Sequence, residues 1–266
     1  MFDYHMHSDF STDCDTPMEK TIERAIEIGL EEICFTDHLD YDYPDPNYIF
    51  EFDLQQYDAD IKALQERYAD KITIKKGVEI GVQPHILHKY EQMMAENSFD
   101  FVICSMHATN KQDLHSGDLF IGRSIDEAYE LYYEELYECV VNYDQYSVLG
   151  HLDLVKRYKA NPGGKDFHEI IEQIFKHIIP QGKGIEINTS GYRYGMGVAL
   201  PSVDILKLYK QCGGEIITLG SDSHVPETLA EEFPKYLDLL ESLNFKYIAT
   251  FNQMEPSFHR ISTLKK

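Results

Sequence analysis

Histidine, aspartate and glutamate residues recur along this 266-residue chain, most of them directly after a short run of apolar residues. The first two, His5 and His7, form an HxH pair, which would place both rings on one side of an extended strand. Imidazole and carboxylate groups without thiolates suit Zn²⁺, Mn²⁺ or Fe²⁺, and several carboxylates together favour more than one cation. The candidate metal ligands of this kind are His5, His7, His38, Glu79, His107, His151, Asp222 and His224.

Taken singly, these residues are weak evidence for a metal site. An HxH pair is common by chance, a histidine at a strand end is more often a hydrogen-bonded structural residue, and a lone Glu79 equally fits a surface charge. Their shared position relative to the predicted strands is the stronger signal, because structural histidines have no reason to follow every strand.

Short β-branched or apolar runs alternate with longer amphipathic stretches over the whole sequence. The predicted strands are Met1–His5, Glu32–Thr36, Ile72–Val78, Phe99–Ser105, Tyr146–Gly150, Gly184–Asn188, Glu215–Gly220 and Lys246–Phe251. The predicted helices are Pro17–Gly29, Leu54–Tyr68, Pro84–Glu96, Ser124–Tyr143, Asp166–Pro180, Ser202–Cys212 and Pro226–Leu243. Strict alternation implies parallel strands, and seven or eight such units in this length indicate a closed (β/α) barrel.

A parallel barrel collects the carboxyl ends of all its strands at one face, which is where the active sites of such barrels lie. The candidate ligands follow those ends, and the sixth strand adds Glu186 and Asn188 to the same face. We therefore expect residues distant in sequence to converge on one metal site. The acidic, aromatic stretch Asp37–Asp53 fits either a loop over the barrel mouth or an ordinary solvated loop.

Composition narrows the class of protein further. Hydrophobic residues make up 43% of the chain, so a large core can form. The formal net charge of −22 argues against a nucleic-acid partner. The five cysteines include no CxxC pair, and neither a secretion signal nor an apolar run of membrane length is present. We expect a single domain over residues 1–266, a cytoplasmic location, no membrane contact, and a monomer or small homo-oligomer.

The motifs around these residues resemble those of a known family. HMHSDFSTD, FTDH, GVEIG, SMHA, GHLDLVKRY, EINTSGYRYG and GSDSH occur in this order from Asp3 to about His224. The set resembles the polymerase and histidinol phosphatase (PHP) superfamily. Within it, GHLDLVKRY and EINTSGYRYG resemble the histidinol-phosphate phosphatases, a similarity that is less decisive for the substrate.

The resemblance implies an α/β fold, a distorted (β/α)7 TIM-like barrel, with two to three divalent ions (Zn, Mn or Fe). It implies a first ion on His5, His7, Glu79 and Asp222, and a second on Glu79, His107 and His151. A third would use Asp13, His38 and His224. Many relatives have histidine where this sequence has Asp13, and Asp15 is a rival for the position.

This resemblance predicts hydrolysis of L-histidinol phosphate, a small phosphate monoester, by attack of a hydroxide that bridges two ions. Arg157 and Arg193 follow the fifth and sixth strands, and we assign both to phosphate binding, because a guanidinium pairs well with phosphate. An arginine on a solvated loop is the alternative for each. Asp222 and His224 are candidate catalytic residues for protonating the leaving group if metal ligation leaves them free.

Other functions remain open from the sequence alone. One is another PHP hydrolase, either a phosphotyrosine phosphatase or a nucleotide or DNA phosphoesterase. The acidic charge balance and the lack of a basic groove argue against a nuclease. A second is a non-catalytic metal-binding barrel, which the intact ligand set and both arginines disfavour. The amidohydrolases also use an HxH pair on a first barrel strand, but Glu79 and the motif DSH at Asp222 fit them less well.

Overall fold

The computed structural model describes residues 1–161 and 164–265, in which strands and helices alternate. The strands are β1 Phe2–Asp3, β2 Glu32–Phe35, β3 His38–Leu39, β4 Thr73–Gly81, β5 Phe101–Ser105, β6 Ala108–Thr109, β7 Gln112–Asp113, β8 Val148–Leu149, β9 Gly184–Asn188, β10 Ile217–Gly220, β11 Tyr247–Asn252 and β12 Glu255–Arg260. The helices are α1 Met18–Glu27, α2 Leu54–Arg67, α3 Leu87–Glu96, α4 Ile125–Asn142, α5 Val155–Tyr158, α6 His168–Ile178, α7 Val203–Gln211, α8 Phe233–Ser242 and α9 Ile261–Leu264.

Seven parallel strands form the central sheet in the order β1-β2-β4-β5-β8-β9-β10, and the short β3 pairs with β4. Backbone hydrogen bonds join the two ends of this sheet. The Tyr4 amide donates to the Leu219 carbonyl at 2.9 Å, and the Asp222 amide donates to the His5 carbonyl at 2.8 Å. The predicted distorted (β/α)7 barrel is therefore confirmed.

Local sequence explains where two of the outer helices begin. Asp53 accepts hydrogen bonds from the first-turn amides of α2, and Ser124 with Glu127 forms a capping box at α4. Apolar faces of the helices pack on the barrel strands, as the buried Ile22, Ile174 and Phe175 illustrate. Among the described residues, no helix is both long and apolar enough to cross a membrane.

The C-terminal part of the chain departs from the predicted alternation. The predicted eighth strand, Lys246–Phe251, is not an eighth barrel strand: β11 pairs antiparallel with β12 in a hairpin. The hairpin packs against the end of the barrel opposite the strand carboxyl ends, where the Tyr4 hydroxyl accepts a hydrogen bond from the Phe251 amide at 2.9 Å. The barrel itself is thus complete with seven strands.

The predicted helix Pro226–Leu243 was too long. It consists of a short 3-10 turn, Pro226–Thr228, and the separate helix α8. Ala230 and Glu232 between them have left-handed φ values of 53° and 63°, which interrupt an α-helix. The interruption lets the Ala230 amide donate to the buried carboxylate of Asp3 at 3.0 Å, tying this segment to the first strand.

Candidate metal centre

The carboxyl ends of the barrel strands bring the predicted ligands together. His5, His7 and Asp13 lie between β1 and α1, His38 begins the short β3, and Glu79 lies near the end of β4. The remaining ligands follow β5, β8 and β10. His5, His7 and Glu79 are fully or almost fully buried. This end of the barrel is therefore filled with imidazole and carboxylate groups instead of aliphatic side chains.

A first group of four donor atoms lies deepest. His5 Nε2 is 3.1 Å from both His7 Nε2 and Glu79 Oε2, and His7 Nε2 is 3.3 Å from Asp222 Oδ1. The pairs His5–Asp222 and His7–Glu79 are each separated by 3.7 Å. Ligand atoms of a tetrahedral zinc ion, with bonds of roughly 2.0–2.2 Å, lie about 3.3–3.6 Å apart. The spacing of these four atoms fits one shared cation.

Glu79 also faces a second group of donors with its other oxygen. Oε1 is 2.9 Å from His151 Nε2 and 3.3 Å from His107 Nε2. The Ser105 hydroxyl donates to the same oxygen at 2.6 Å and fixes the rotation of the carboxylate. A carboxylate with one oxygen in each group has the geometry of a ligand that bridges two cations.

A third group lies nearer the surface. Asp13 Oδ2 is 3.4 Å from His224 Nε2 and 3.7 Å from His38 Nε2. The His38 ring also turns Nδ1 toward Glu79 Oε2 at 3.0 Å, so it lies between this group and the bridging carboxylate. Of the two aspartates considered from the sequence, Asp13 is the one whose carboxylate is recorded within 3.7 Å of the histidines.

The carboxyl and imidazole groups of this site strongly shift one another's pKa values. Burial opposes ionisation of Glu79 and Asp222, yet the neighbouring imidazoles hold the pKa of both carboxyl groups well below the usual range. Burial and neighbouring imidazoles hold the pKa of His7 well below its usual value, so its ring is neutral. A proton on His5 Nε2 can bond only one of its close neighbours at a time, whereas a metal ion satisfies several donors together. The donor set therefore fits divalent ions.

A cavity of about 400 Å³ opens onto these clusters. Its inner wall carries candidate ligands, and its outer wall is rich in aromatic side chains from several loops and from helix α5. The aromatic and imidazole side chains of the outer wall are Tyr43, Tyr48, Phe50, His115, Tyr158 and Tyr194. Three of them come from the stretch Asp37–Asp53, so this stretch lies at the barrel mouth.

Arg157 lies on the wall of this cavity, on the short helix α5. Its Nη2 donates to the Ser190 hydroxyl at 2.5 Å and lies 3.4 Å from Asp222 Oδ2. Its guanidinium stacks on the Tyr194 ring, 4.2 Å from the centroid, and only 7% of the side chain is exposed. A permanent positive charge is thus held beside a candidate ligand, where a phosphate could reach it.

Arg193 is placed differently, and the structure does not bring it to the cavity wall. Its Nη2 donates to the carbonyls of Ser221 and Asp222, both at 2.7 Å, and Nη1 lies 3.3 Å from Glu231. These contacts hold the loop after β10, in which Asp222 has a left-handed φ of 54°. A phosphate-binding role for Arg193 stays a prediction.

Several residues of the site were not found from the sequence. The outer-wall residue His115 lies in none of the quoted motifs, and Tyr43 was noticed only as part of an aromatic stretch. Tyr158 ends the motif GHLDLVKRY, but the sequence assigned it no role. Asp40 lies 2.6 Å from His107 Nδ1 although the two are 67 positions apart. No spacing rule relates such a pair, so only the folded chain reveals it.

A strand-end cluster of this kind on a seven-stranded barrel defines an α/β-barrel protein with a candidate metal centre at the carboxyl ends of its strands. The model of the PHP domain matches residues 3–190, and the chain belongs to the PHP domain family.

Similar proteins within the family carry the name histidinol-phosphatase. A histidinol-phosphatase of Lactococcus lactis is 34% identical over 258 residues, which cover 95% of each chain. A probable histidinol-phosphatase of Clostridium acetobutylicum is 30% identical and covers 92% of this chain and 95% of its own length. The crystal structure of the Lactococcus lactis histidinol phosphate phosphatase, complexed with zinc, L-histidinol and phosphate, superposes with a TM-score of 0.86 at 32% identity. The match covers 96% of this chain and 98% of that one.

Proposed function

We propose that this protein is a metal-dependent histidinol-phosphatase that hydrolyses L-histidinol phosphate to L-histidinol and phosphate. The observation that carries the proposal is the near full-length match to an enzyme whose structure contains zinc, L-histidinol and phosphate. The ligand-like geometry around Glu79 supports it from this chain's own residues, because each carboxylate oxygen faces a separate group of imidazoles.

Two to three divalent ions, Zn, Mn or Fe, would be held by the three groups of donors. His5, His7, Glu79 and Asp222 would hold the first, and Glu79, His107 and His151 the second. Asp13, His38 and His224 would hold the third. Such ions supply Lewis acidity and lower the pKa of bound water, which is the chemistry that hydrolysis of a phosphate monoester at neutral pH requires.

Arg157 would bind the phosphate of the substrate. Its side chain is anchored by the Ser190 hydroxyl and by the Tyr194 ring, so a guanidinium is already oriented before a ligand arrives. A charge-assisted hydrogen bond from such a pre-positioned donor stabilises the charge that develops on the phosphate oxygens.

Of the two candidate catalytic residues, Asp222 fits a ligand role better than an acid role. The pKa of its carboxyl group is well below the usual range, since His5 and Arg157 outweigh the opposing effect of burial, so it carries no proton at neutral pH. His224 borders the cavity with 29% of its side chain exposed. It would serve as an acid only in a state in which it is not a metal ligand.

The outer wall of the cavity suits the alcohol part of this substrate. Tyrosine and phenylalanine faces pack against planar rings and attract cations, and L-histidinol carries both an imidazole and an ammonium group. The same wall would admit a phenyl ring, which makes a phosphotyrosine phosphatase the second candidate function. The net charge of −22 disfavours a polyanionic nucleic-acid substrate.

A substrate comparison tests the proposal. Phosphate release should be measured from L-histidinol phosphate, phosphotyrosine and a nucleotide with zinc-, manganese- and iron-loaded protein. We expect kcat/KM for L-histidinol phosphate to exceed the others by orders of magnitude. His5→Ala should abolish release, and His177→Ala, which removes a half-buried imidazole on the outer helix α6, should not. Comparable rates on all three monoesters would refute the substrate assignment.

A further inference from the structure

Two buried carboxylates contact the second ring nitrogen of two candidate ligands. Asp40 Oδ2 lies 2.6 Å from His107 Nδ1, and Glu186 Oε1 lies 2.5 Å from His5 Nδ1. In both rings the opposite nitrogen, Nε2, faces Glu79, at 3.3 Å from His107 and 3.1 Å from His5. Each imidazole is therefore held between an outer carboxylate and the central Glu79.

The barrel leaves room for these two carboxylates by placing glycine beside them. A Cβ atom on Gly81 would collide with the Asp40 carboxyl group, and one on Gly220 would collide with the Glu186 carboxyl group. Asp40 is 3% exposed and Glu186 is fully buried. Because burying a carboxylate is unfavourable unless it is paired, two such placements indicate a specific role for the charge.

The other candidate ligands differ at the second nitrogen, and for His38 the partner there is the bridging Glu79 itself, with Oε2 3.0 Å from Nδ1. His7 Nδ1 lies 3.1 Å from the Ser11 hydroxyl, and His224 Nδ1 lies 3.1 Å from the Asp222 carbonyl. His151 Nδ1 is buried and has no hydrogen-bond partner in the described part of the chain. Among the described residues, a carboxylate outside the ligand set is thus hydrogen-bonded to a candidate ligand ring only at His107 and His5, one imidazole on each side of Glu79.

We propose that Asp40 and Glu186 are positioning residues that fix His107 and His5 as Nε2 ligands, each on a different ion of the pair that Glu79 bridges. A carboxylate that accepts the Nδ1 proton leaves Nε2 unprotonated, orients the ring and makes the imidazole a stronger donor. Asp40 acts on the second ion and Glu186 on the first. The inference rests on the metal site of the proposed function, not on the identity of the substrate.

Zinc affinity is the direct measurement. Metal-free wild type, Asp40→Asn and Asp40→Ala should be titrated with zinc against a chromogenic chelator. We expect one equivalent to bind about 10- to 100-fold more weakly in Asp40→Ala. The zinc affinity of Asp40→Asn should lie between those of wild type and Asp40→Ala, since asparagine keeps a hydrogen-bond acceptor but loses the charge. The matched control is Asp42→Asn, because Asp42 pairs with Lys89 at 2.8 Å and, within residues 1–161 and 164–265, with no candidate ligand.

The Nδ1 proton of His107 gives a signature that a packing role would not change. In zinc-loaded wild type, NMR should show this proton as a strongly downfield, exchange-protected resonance. It should move upfield in Asp40→Asn and disappear in Asp40→Ala. Glu186→Gln should move the corresponding His5 resonance while leaving that of His107 unchanged.

Two results would overturn the proposal. One is zinc affinity in folded Asp40→Asn and Asp40→Ala equal to that of wild type. The other, which needs no variant, is a His107 ring in the zinc-loaded wild type that carries no hydrogen-bonded Nδ1 proton. Neither readout involves turnover, so a negative result in the histidinol phosphate assay does not affect this test. A negative result here likewise does not affect the substrate assignment.

Discussion

Replacing Arg157 by alanine separates phosphate recognition from metal binding. The Arg157 side chain is 7% exposed and borders the cavity, and its Nη2 lies 3.4 Å from Asp222 Oδ2. Its loss removes one charge-assisted hydrogen bond to phosphate, worth about 1.5–3 kcal/mol. That difference corresponds to a fall in kcat/KM of about ten- to a hundred-fold.

The assay is phosphate release from L-histidinol phosphate, with the inhibition constant of inorganic phosphate measured beside it. Arg157→Ala should weaken phosphate inhibition together with kcat/KM. Arg157→Lys should recover only part of either, because an ammonium cannot reproduce the planar guanidinium. Arg260→Ala is the matched control, since Arg260 also lies over a tyrosine ring but in the C-terminal hairpin.

Metal content must be measured in the same samples, because Arg157 also lies beside the candidate ligand Asp222. Normal kcat/KM and normal phosphate inhibition in metal-replete Arg157→Ala would refute the phosphate role. The same assay distinguishes two roles for Arg193, phosphate binding and stabilisation of the loop after β10. A phosphate role predicts weaker inhibition at full metal content, whereas its contacts with the Ser221 and Asp222 carbonyls predict loss of metal from Arg193→Ala.

Two further predictions concern packing and pH. Gly220→Ala should destabilise the metal-free protein by about 1–3 kcal/mol in urea unfolding, because the new methyl group displaces the Glu186 carboxylate; an unchanged midpoint and slope would contradict this. Burial alone would lower the pKa of His38, but Glu79 and Asp13 raise it to about 9. Its stabilising charge is fully present below about pH 6.5 and is lost as the pH rises through 9. The metal-free protein should therefore lose stability over this range while zinc affinity rises, and zinc binding at pH 7 should release protons. Calorimetry in two buffers of different ionisation enthalpy measures the number of protons released. Zinc binding without proton release at pH 7 would contradict the assignment of His38 as a metal ligand.

The sequence predicted the barrel and most of the metal cluster because both follow from the same regularity. Parallel strands share one carboxyl edge, so the strand pattern alone assigns residues such as His5, Glu79 and His151 to one face. The first group of donors contains only residues that this pattern selects. Asp13 came instead from the family resemblance, since it lies in a loop.

The remaining features depend on contacts that no local pattern encodes. Lys246–Phe251 has the composition of a barrel strand, and only its pairing with Glu255–Arg260 makes it a hairpin. Asp40 reaches His107 because Gly81 leaves space for its carboxylate. Arg193 follows the sixth strand as expected, yet its guanidinium donates hydrogen bonds to the backbone carbonyls of Ser221 and Asp222. That residues 1–266 form a single domain stays a prediction.

Zinc reconstitution tests the central claim, metal-dependent hydrolysis of L-histidinol phosphate, most directly. The protein should be stripped with a chelator, dialysed, and titrated with zinc while phosphate release is followed. We predict no turnover without metal and a plateau between two and three equivalents per chain, with Glu79→Ala inactive at every zinc concentration because it lacks the bridging carboxylate. Full turnover by the metal-free protein, or by Glu79→Ala, would contradict the account.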